Sequence, residues 1–363
     1  MSEPVNASDY FELAAAQVDP SVWCYFEGGA GDEVTLRANT AAYGRWRFRP
    51  RMLVDVSEIT TATTVLGTPV SMPLLVAPFA MHGLLATDGE LATARAAAAA
   101  GTLFCVSTIT SRTHAEIAVA SGDGPRWIQL YVVKDRQRTL NHLAEARESG
   151  YSALVLTVDM PLLGRRERDL KLGFQIPPDL PLPYIRGSDP TQAETMAQHF
   201  QTSPALTWRD LEWVAAESGM PVVLKGLLTG EDGALAAEHG VAGVIVSNHG
   251  GRQLDGVAAT LDALPEVVAA VDGRCEVYVD GGIRRGGDVL KALALGARAT
   301  FSGRAVAAGL AVGGEAGVQH VLSLLHDEIE LGLGLLGCTS PAELTRAHVE
   351  PVVPYDPPLL ERP

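Results

Sequence analysis

The chemistry this chain could do is concentrated in Ser247-Asn248-His249-Gly250-Gly251-Arg252-Gln253-Leu254-Asp255. The stretch follows Gly243-Val244-Ile245-Val246, an apolar run too short for a helix and typical of a buried strand. The paired glycines turn the chain where that run ends. A histidine and an arginine are thereby offered at the C-terminal edge of a strand, with no β-carbon between them to hold a ligand off. An imidazole takes a proton near neutral pH, and a guanidinium grips a carboxylate through two parallel hydrogen bonds. The expected ligand is a small acid carrying a removable proton, although an ordinary His-Gly-Gly loop would read the same in isolation.

Similar edges recur along the chain. Apolar or β-branched runs occur at Leu74-Leu75-Val76-Ala77, Leu103-Phe104-Cys105-Val106, Trp127-Ile128-Gln129-Leu130, Leu154-Val155-Leu156-Thr157-Val158, Val222-Val223-Leu224-Lys225, Val244-Ile245-Val246, Val277-Tyr278-Val279 and Ala299-Thr300-Phe301. Alanine-rich helical stretches separate most of them, such as Gly89 to Ala100, Thr139 to Ser149, Glu231 to His239 and Gly287 to Leu295. About eight strands, each followed by a helix, predict an α/β fold of the (β/α)8 TIM-barrel type. A doubly wound open sheet competes, but no glycine-rich dinucleotide turn follows the first strand. The residues just past the runs are polar: Ser107, Gln129 and Tyr131, Thr157 and Asp159, Lys225, His249 and Arg252, Asp280, then Gly303 and Arg304. In a barrel all of these meet at the C-terminal mouth. Singly, Lys225 reads equally as a solvated strand end and Asp159 as a helix cap; their arrival strand after strand is what those readings leave unexplained.

Asp280-Gly281-Gly282-Ile283-Arg284-Arg285-Gly286-Gly287 follows the seventh run and Ser302-Gly303-Arg304 the eighth. Glycines let backbone N–H groups approach an anion, and a helix start behind each loop adds a favourable dipole. Barrels often hold a phosphate at these two loops. The ligand implied carries a phosphate at one end and has its reactive part near His249.

The 363 residues are read as a single domain: an N-terminal helical extension over 1–69, the barrel over 70–310, and a C-terminal helix and tail over 311–363. In the extension, Ser8-Asp9 predicts a cap for a helix through Val18, Pro20 starts a second segment, and Asp32 predicts a cap for a third helix through Asn39. Tyr25, just before Gly28-Gly29-Ala30-Gly31, reads either as packing or as a ligand contact. The interval from Leu163 to Thr207 is long and proline-rich, which predicts a covering loop after the fourth strand; Arg166 within it is either solvated or turned toward the mouth. Val318 to Leu336 predicts a closing helix. With 47% hydrophobic and 20% charged residues the chain is globular, and a net charge of -15 argues against nucleic acid as the partner. No stretch is expected to approach a membrane span. Cys24, Cys105, Cys275 and Cys338 show no metal or disulfide spacing, so no metal is expected. The N-terminal residues lack the pattern of an export signal, which predicts a cytoplasmic protein.

The nine-residue stretch closely resembles the signature of the FMN-dependent 2-hydroxy-acid oxidases and dehydrogenases, the family of glycolate oxidase, lactate oxidase and mandelate dehydrogenase. The likeness extends through Arg49-Pro50-Arg51, Ala77-Pro78, Gln129-Leu130-Tyr131, Thr157-Val158-Asp159, Gly164-Arg165-Arg166-Glu167, Val223-Leu224-Lys225-Gly226, the glycine-arginine loop at 280–286 and Gly303-Arg304, from about Tyr10 to His348. What it implies is an FMN barrel with His249 as the base, taking either the α-proton or the hydroxyl proton of the substrate. By the same resemblance, Asp159 orients His249; Arg252 and Arg166 hold the substrate carboxylate with Tyr25; and Tyr131 lies near the hydroxyl. Lys225 would stand by the flavin ring, and Ala77, Pro78, Phe79, Ala80, Ser107, Gln129, Thr157 and Ser247 around the flavin and its ribityl chain. Asp280, Gly282, Arg284, Gly303 and Arg304 would take the ribityl end and phosphate.

Ile109 stands where plant glycolate oxidases carry a tryptophan, and Phe79 replaces a smaller residue, so the resemblance points to an aryl acid, mandelate or 4-hydroxymandelate, ahead of glycolate or lactate. Where the membrane-bound mandelate dehydrogenases carry an apolar insertion, Asp179 to Pro204 is polar, which favours oxygen as acceptor, with hydrogen peroxide as product, over another acceptor. A homo-oligomer, tetramer or octamer, is expected from the family. Outside it, two readings remain: a non-redox phosphate-binding isomerase or aldolase, and a flavin-binding protein that has lost catalysis and serves as an assembly partner.

Overall fold

Eight runs buried on both faces become eight parallel strands, because a parallel sheet covered by helices leaves no face for water. In the computed structural model, which describes residues 4–184 and 202–352, these are β1 (Leu74–Val76), β2 (Phe104–Val106), β3 (Arg126–Leu130), β4 (Leu154–Thr157), β5 (Val222–Leu227), β6 (Gly243–Val246), β7 (Glu276–Asp280) and β8 (Ala299–Ser302). They close in chain order, β8 pairing with β1 through Phe301 opposite Leu75, so the expected barrel is the fold. Helices follow the strands, among them Glu90–Ala99, Arg136–Glu148, Gly230–Glu238 and Gly286–Ala294.

Alternate residues of each strand pack into one inner cluster that includes Leu75, Cys105, Trp127, Val155, Val223, Ile245, Tyr278 and Phe301. Trp127, Tyr278 and Phe301 meet edge-on or tilted at centroid distances of 5.6–6.1 Å and fill the floor. Because side chains alternate along a strand, the next inward positions are two residues further on. They are Ala77, Ser107, Gln129, Thr157, Lys225, Ser247, Asp280 and Gly303, one per strand. The polar ring at the mouth is therefore the upper layer of the same inner face.

The extension departs from expectation in two places. Helix Ala7–Gln17 is capped by Asn6, whose Oδ1 accepts the N–H groups of Ser8 and Asp9; those two residues already lie inside the helix. The third helix is Val34–Tyr43, not a helix begun by Asp32 and ended at Asn39. Asp32 sits in the turn before Glu33, which adopts a left-handed φ of 59°. The cap comes from far along the chain: Asp255, the last residue of the signature, accepts the N–H of Val34 at Oδ2 (3.2 Å) and of Thr35 at Oδ1 (2.8 Å). A reciprocal amide pair, Asn39 with Asn248 at 2.8 Å each way, fixes the same helix to the loop after β6.

After β8 the chain is helical from Arg304, well before Val318, and runs to Leu336 with a kink at Gly313-Gly314. Contrary to expectation, this helix is long and apolar enough to cross a membrane by length and composition, although 56% of the qualifying window is buried inside the protein. It packs on the first helix and on Glu90–Ala99. Part of the covering loop, residues 185–201, and the proline-rich tail beyond Val352 lie outside the described residues.

Capping by Asp255 has a measurable size. Asp255→Ala should lower stability by ~1 kcal/mol, read as a lower urea midpoint, while Asp255→Asn, which retains an acceptor, should stay close to the parent. An unchanged midpoint for the alanine variant would remove the cap from the account.

Candidate active site

The mouth of the barrel opens into a cavity lined by residues from the ends of all eight strands and from the N-terminal extension, the kind of concave site that holds a cofactor or ligand. Of the expected site residues, Tyr25, Ala77, Pro78, Phe79, Ala80, Ser107, Gln129, Tyr131, Thr157, Arg166, Lys225, His249, Arg252, Asp280, Gly282, Arg284, Gly303 and Arg304 line it. Asp159 and Ser247 stand one layer behind.

His249 reaches the cavity from a strained turn. Its φ is +58°, and Gly250 and Gly251 follow at +64° and +74°, a left-handed path that a β-carbon resists. Its N–H is taken by Ser247 Oγ at 3.1 Å. A β-carbon on Gly250 would be strained at its positive φ and would lie 2.7 Å from Arg304 Nη1, displacing that guanidinium. The imidazole Nδ1 is 2.8 Å from Asp159 Oδ1, and Nε2 is 3.4 Å from the Tyr131 hydroxyl. An ionised carboxylate can only accept, so Nδ1 carries the proton and Nε2 presents its lone pair. Burial pushes His249 below its ordinary value, although Asp159 pulls it up. Burial alone would raise Asp159, but His249 and Lys225 outweigh it and hold the carboxyl below its usual range. At neutral pH the pair is imidazole and carboxylate.

Two arginines flank this pair. Arg252 donates through Nη1 to the carbonyls of Tyr25 (2.5 Å) and Gly28 (2.9 Å) and lies 4.9 Å over the Tyr25 ring, which stacks in turn on Phe174. Arg166, left open between solvent and mouth by its sequence, is buried, and its Nε has no partner. Burial and then the charge of Arg252 push it down to about 10. Among the described residues neither arginine has a carboxylate within ion-pair distance.

Two hydrogen-bonded chains line the floor. Ser107 Oγ donates to Gln129 Oε1 (3.4 Å), and Gln129 Nε2 to Thr157 Oγ1 (3.0 Å). Lys225 Nζ donates to Ser247 Oγ (2.9 Å), which donates to Asp280 Oδ2 (2.9 Å); Lys225 and Asp280 also pair directly at 3.3 Å. Burial disfavours the ammonium, but Asp280 and Asp159 outweigh it, so Lys225 stays charged. At the far end Arg304 is bound to the carbonyls of Phe26, Gly28 and Gly250, and Arg284 lies 4.4 Å over Phe11. Burial, then Arg252 and Arg284, push Arg304 well below its usual range. Glu27, Asp280 and Asp288 act on Arg284 and Arg304 only from beyond ion-pair distance among the described residues, and arginines crowded in this way suit an anion, as the loops after β7 and β8 predict.

A family profile described as FMN-dependent dehydrogenase matches residues 14–351. The chain belongs to the FMN-dependent dehydrogenase family. It is 50% identical over 350 residues to the L-lactate oxidase of Nostoc sp., covering 93% of this chain and 96% of that protein. It is 48% identical to glycolate oxidase 1 of Zea mays, with 96% of each covered. Among solved structures, mandelate oxidase with (S)-4-hydroxymandelic acid superposes with a TM-score of 0.92 at 41% identity, over 96% of this chain and 100% of that one.

FMN is the cofactor of this family, and the cavity suits it. Asp280 Oδ1, Ser302 Oγ and Arg166 Nε are buried without partners, and all three residues line the cavity. An unpaired buried group costs ~1–3 kcal/mol, so polar atoms of a ligand are needed there, and the unneutralised arginines at the far end suit its phosphate. Phe26, Met160 and Ser302 also line the cavity without having been singled out. Ser302 belongs to the quoted Ser-Gly-Arg stretch, whereas Phe26 and Met160 carry no local signal.

Proposed function

We propose that the protein oxidises an (S)-2-hydroxy acid with an aryl side chain, mandelate or 4-hydroxymandelate, to the 2-keto acid, with oxygen reduced to hydrogen peroxide. What carries this reading is one juxtaposition: the Nε2 lone pair of His249 opens on the same cavity as the buried Arg166 and the part-buried Arg252, neither of which has a carboxylate within ion-pair distance among the described residues. A base between two cations suits an acid whose proton must be removed beside its carboxylate.

Ala77 to Ala80, Ser107, Gln129, Thr157 and Lys225, with Ser247 behind, would hold the ring and ribityl chain of FMN. Asp280, Gly282, Arg284, Gly303 and Arg304 would hold the ribityl end and phosphate. Bound FMN supplies a two-electron acceptor that no side chain offers. Arg252 and Arg166 grip the substrate carboxylate bidentately and fix the acid's orientation. The Tyr131 hydroxyl, kept protonated by burial, faces the substrate hydroxyl. His249 Nε2 takes a proton from the CH(OH) centre, and Asp159 stabilises the imidazolium formed. Lys225 holds positive charge where negative charge develops.

Support for the aryl group comes from the wall. Ile109 is buried and lines the cavity beside Phe79, which stacks face-on with His82 at 3.6 Å, so an apolar surface adjoins the acid site. The order of identities, with lactate and glycolate oxidases at 50% and 48%, favours a second reading in which the acid is short and aliphatic.

Peroxide formation distinguishes the two. (S)-Mandelate should show at least a tenfold larger kcat/KM than L-lactate or glycolate, an estimate of about 1–3 kcal/mol from one apolar group. Ile109→Trp should erase most of that preference while keeping the short acids. A preference for lactate or glycolate in the parent would establish the second reading. The acid limb of kcat/KM reports the free enzyme's base. Since the base works deprotonated and burial lowers its value, that limb should fall below the ~6.5 of ordinary imidazole. Asp159→Asn, which removes the raising partner, should move it lower still; a limb above ordinary imidazole would contradict the assignment.

A further inference from the structure

The loop after β4 carries both Asp159 and Arg166, yet between them it forms neither helix nor strand. Its backbone groups must find partners elsewhere. One side chain takes three of them. Gln253 Nε2 donates to the carbonyl of Asp159 (2.8 Å) and to that of Leu162 (2.9 Å), and Gln253 Oε1 accepts the N–H of Gly164 (3.0 Å). The two loops also touch directly, because a β-carbon on Gly164 would lie 2.3 Å from the Arg252 carbonyl oxygen and 2.7 Å from Gln253 Cα.

These bonds fall at informative places. Gln253 directly follows Arg252, and its partners begin at Asp159 itself and end two residues before Arg166. One neutral amide thus joins the loops where their side chains must meet, His249 with Asp159 and Arg252 with Arg166. The second meeting is uphill, since the arginines are like charges in a buried site and Arg252 disfavours the charged form of Arg166. Among the described residues no carboxylate lies within ion-pair distance of either guanidinium, so before an acid arrives only weaker attractions from Tyr25, Asp169 and Tyr131 act on Arg166. A restraint that does not depend on the acid has to hold Arg166 inward, and an uncharged one does so without competing for the arginines. Gln253 does not line the cavity, so it touches neither the acid nor FMN.

We propose that Gln253 is a positioning residue, which holds the Asp159–Arg166 loop against the His249–Arg252 loop so that the acid site is assembled before substrate binds. The proposal rests on the carboxylate-binding reading of Arg166 and Arg252 given above. It separates acid binding from cofactor binding: loss of the amide should weaken the first and spare the second.

The test uses the FMN-loaded protein and two variants. Gln253→Met keeps the side-chain length and loses all three bonds; Gln253→Glu keeps an acceptor for Gly164 and loses both donors. Flavin content and thermal midpoint are measured first, then binding of oxalate, followed by the shift of the visible flavin band, and finally the pH profile of kcat/KM. Both variants should retain FMN and bind oxalate about tenfold or more weakly. Their kcat/KM should fall by roughly 100-fold, the scale of an ångström-sized misplacement, mainly through KM. The acid limb should move to lower pH as Asp159 loosens its hold on His249. If flavin-bearing variant protein binds oxalate like the parent and keeps the same acid limb, with only the thermal midpoint lowered, Gln253 is merely structural and the proposal is overturned. Should Gln253→Met fail to fold, Gln253→Glu decides alone. A parent protein that does not bind oxalate would overturn the carboxylate reading itself, an outcome visible before any variant is compared.

Discussion

A hydrogen bond of 2.8 Å between His249 Nδ1 and Asp159 Oδ1 joins the two loops on which the site is built. Neither partner is stable there alone, since burial drives the imidazole toward neutrality and the carboxyl toward protonation. Together they settle on one arrangement of protons, with Nε2 left as the acceptor. The barrel makes this possible because β4, β5 and β6 are adjacent, so the loops after β4 and β6 meet over the end of β5, where Lys225 adds a cation beside the carboxylate. The left-handed backbone at His249 is the strain accepted to aim the ring.

The electrostatic plan of the molecule has two scales. The chain as a whole carries -15, whereas the mouth gathers Lys225, Arg166, Arg252, Arg284 and Arg304, with Asp159 and Asp280 as the partners of His249 and Lys225. Arg166 is depressed in part by Arg252, and Arg304 by both Arg252 and Arg284. On the reading proposed above, a site with this surplus is finished by anions: a phosphate would lie at the Arg284 and Arg304 end and a carboxylate at Arg166 and Arg252. The acidic exterior favours solubility, and on the same reading the cations of the mouth select what binds.

Much of this was legible in the chain because a strand buried on both faces leaves a continuous apolar run, and the first polar residues after it are its mouth. The period of two then explains why Ser107, Gln129, Thr157, Lys225 and Asp280 share one ring. What local pattern could not show was long-range partnership. Asp255 reads as the end of a loop, yet it caps a helix about 220 residues earlier. Arg165, Arg166 and Arg168 are chemically alike in sequence, and only folding turns Arg166 inward while Arg165 stays exposed. The helix from Arg304 escaped because its alanines and glycines carry no amphipathic stripe, and its one kink at Gly313-Gly314 hid its continuity with the residues from Val318 onward.

The central claim is that His249 removes the proton whose loss lets a 2-hydroxy acid reduce the bound flavin. The direct measurement is the visible spectrum of the purified protein and of His249→Gln, each mixed with (S)-mandelate, lactate and glycolate in the absence of oxygen. Both proteins should be yellow; the parent should bleach rapidly with at least one of these acids, and the variant should remain oxidised for orders of magnitude longer. Equal bleaching rates in the two proteins would contradict the account, as would a parent that holds FMN and is reduced by none of the three acids.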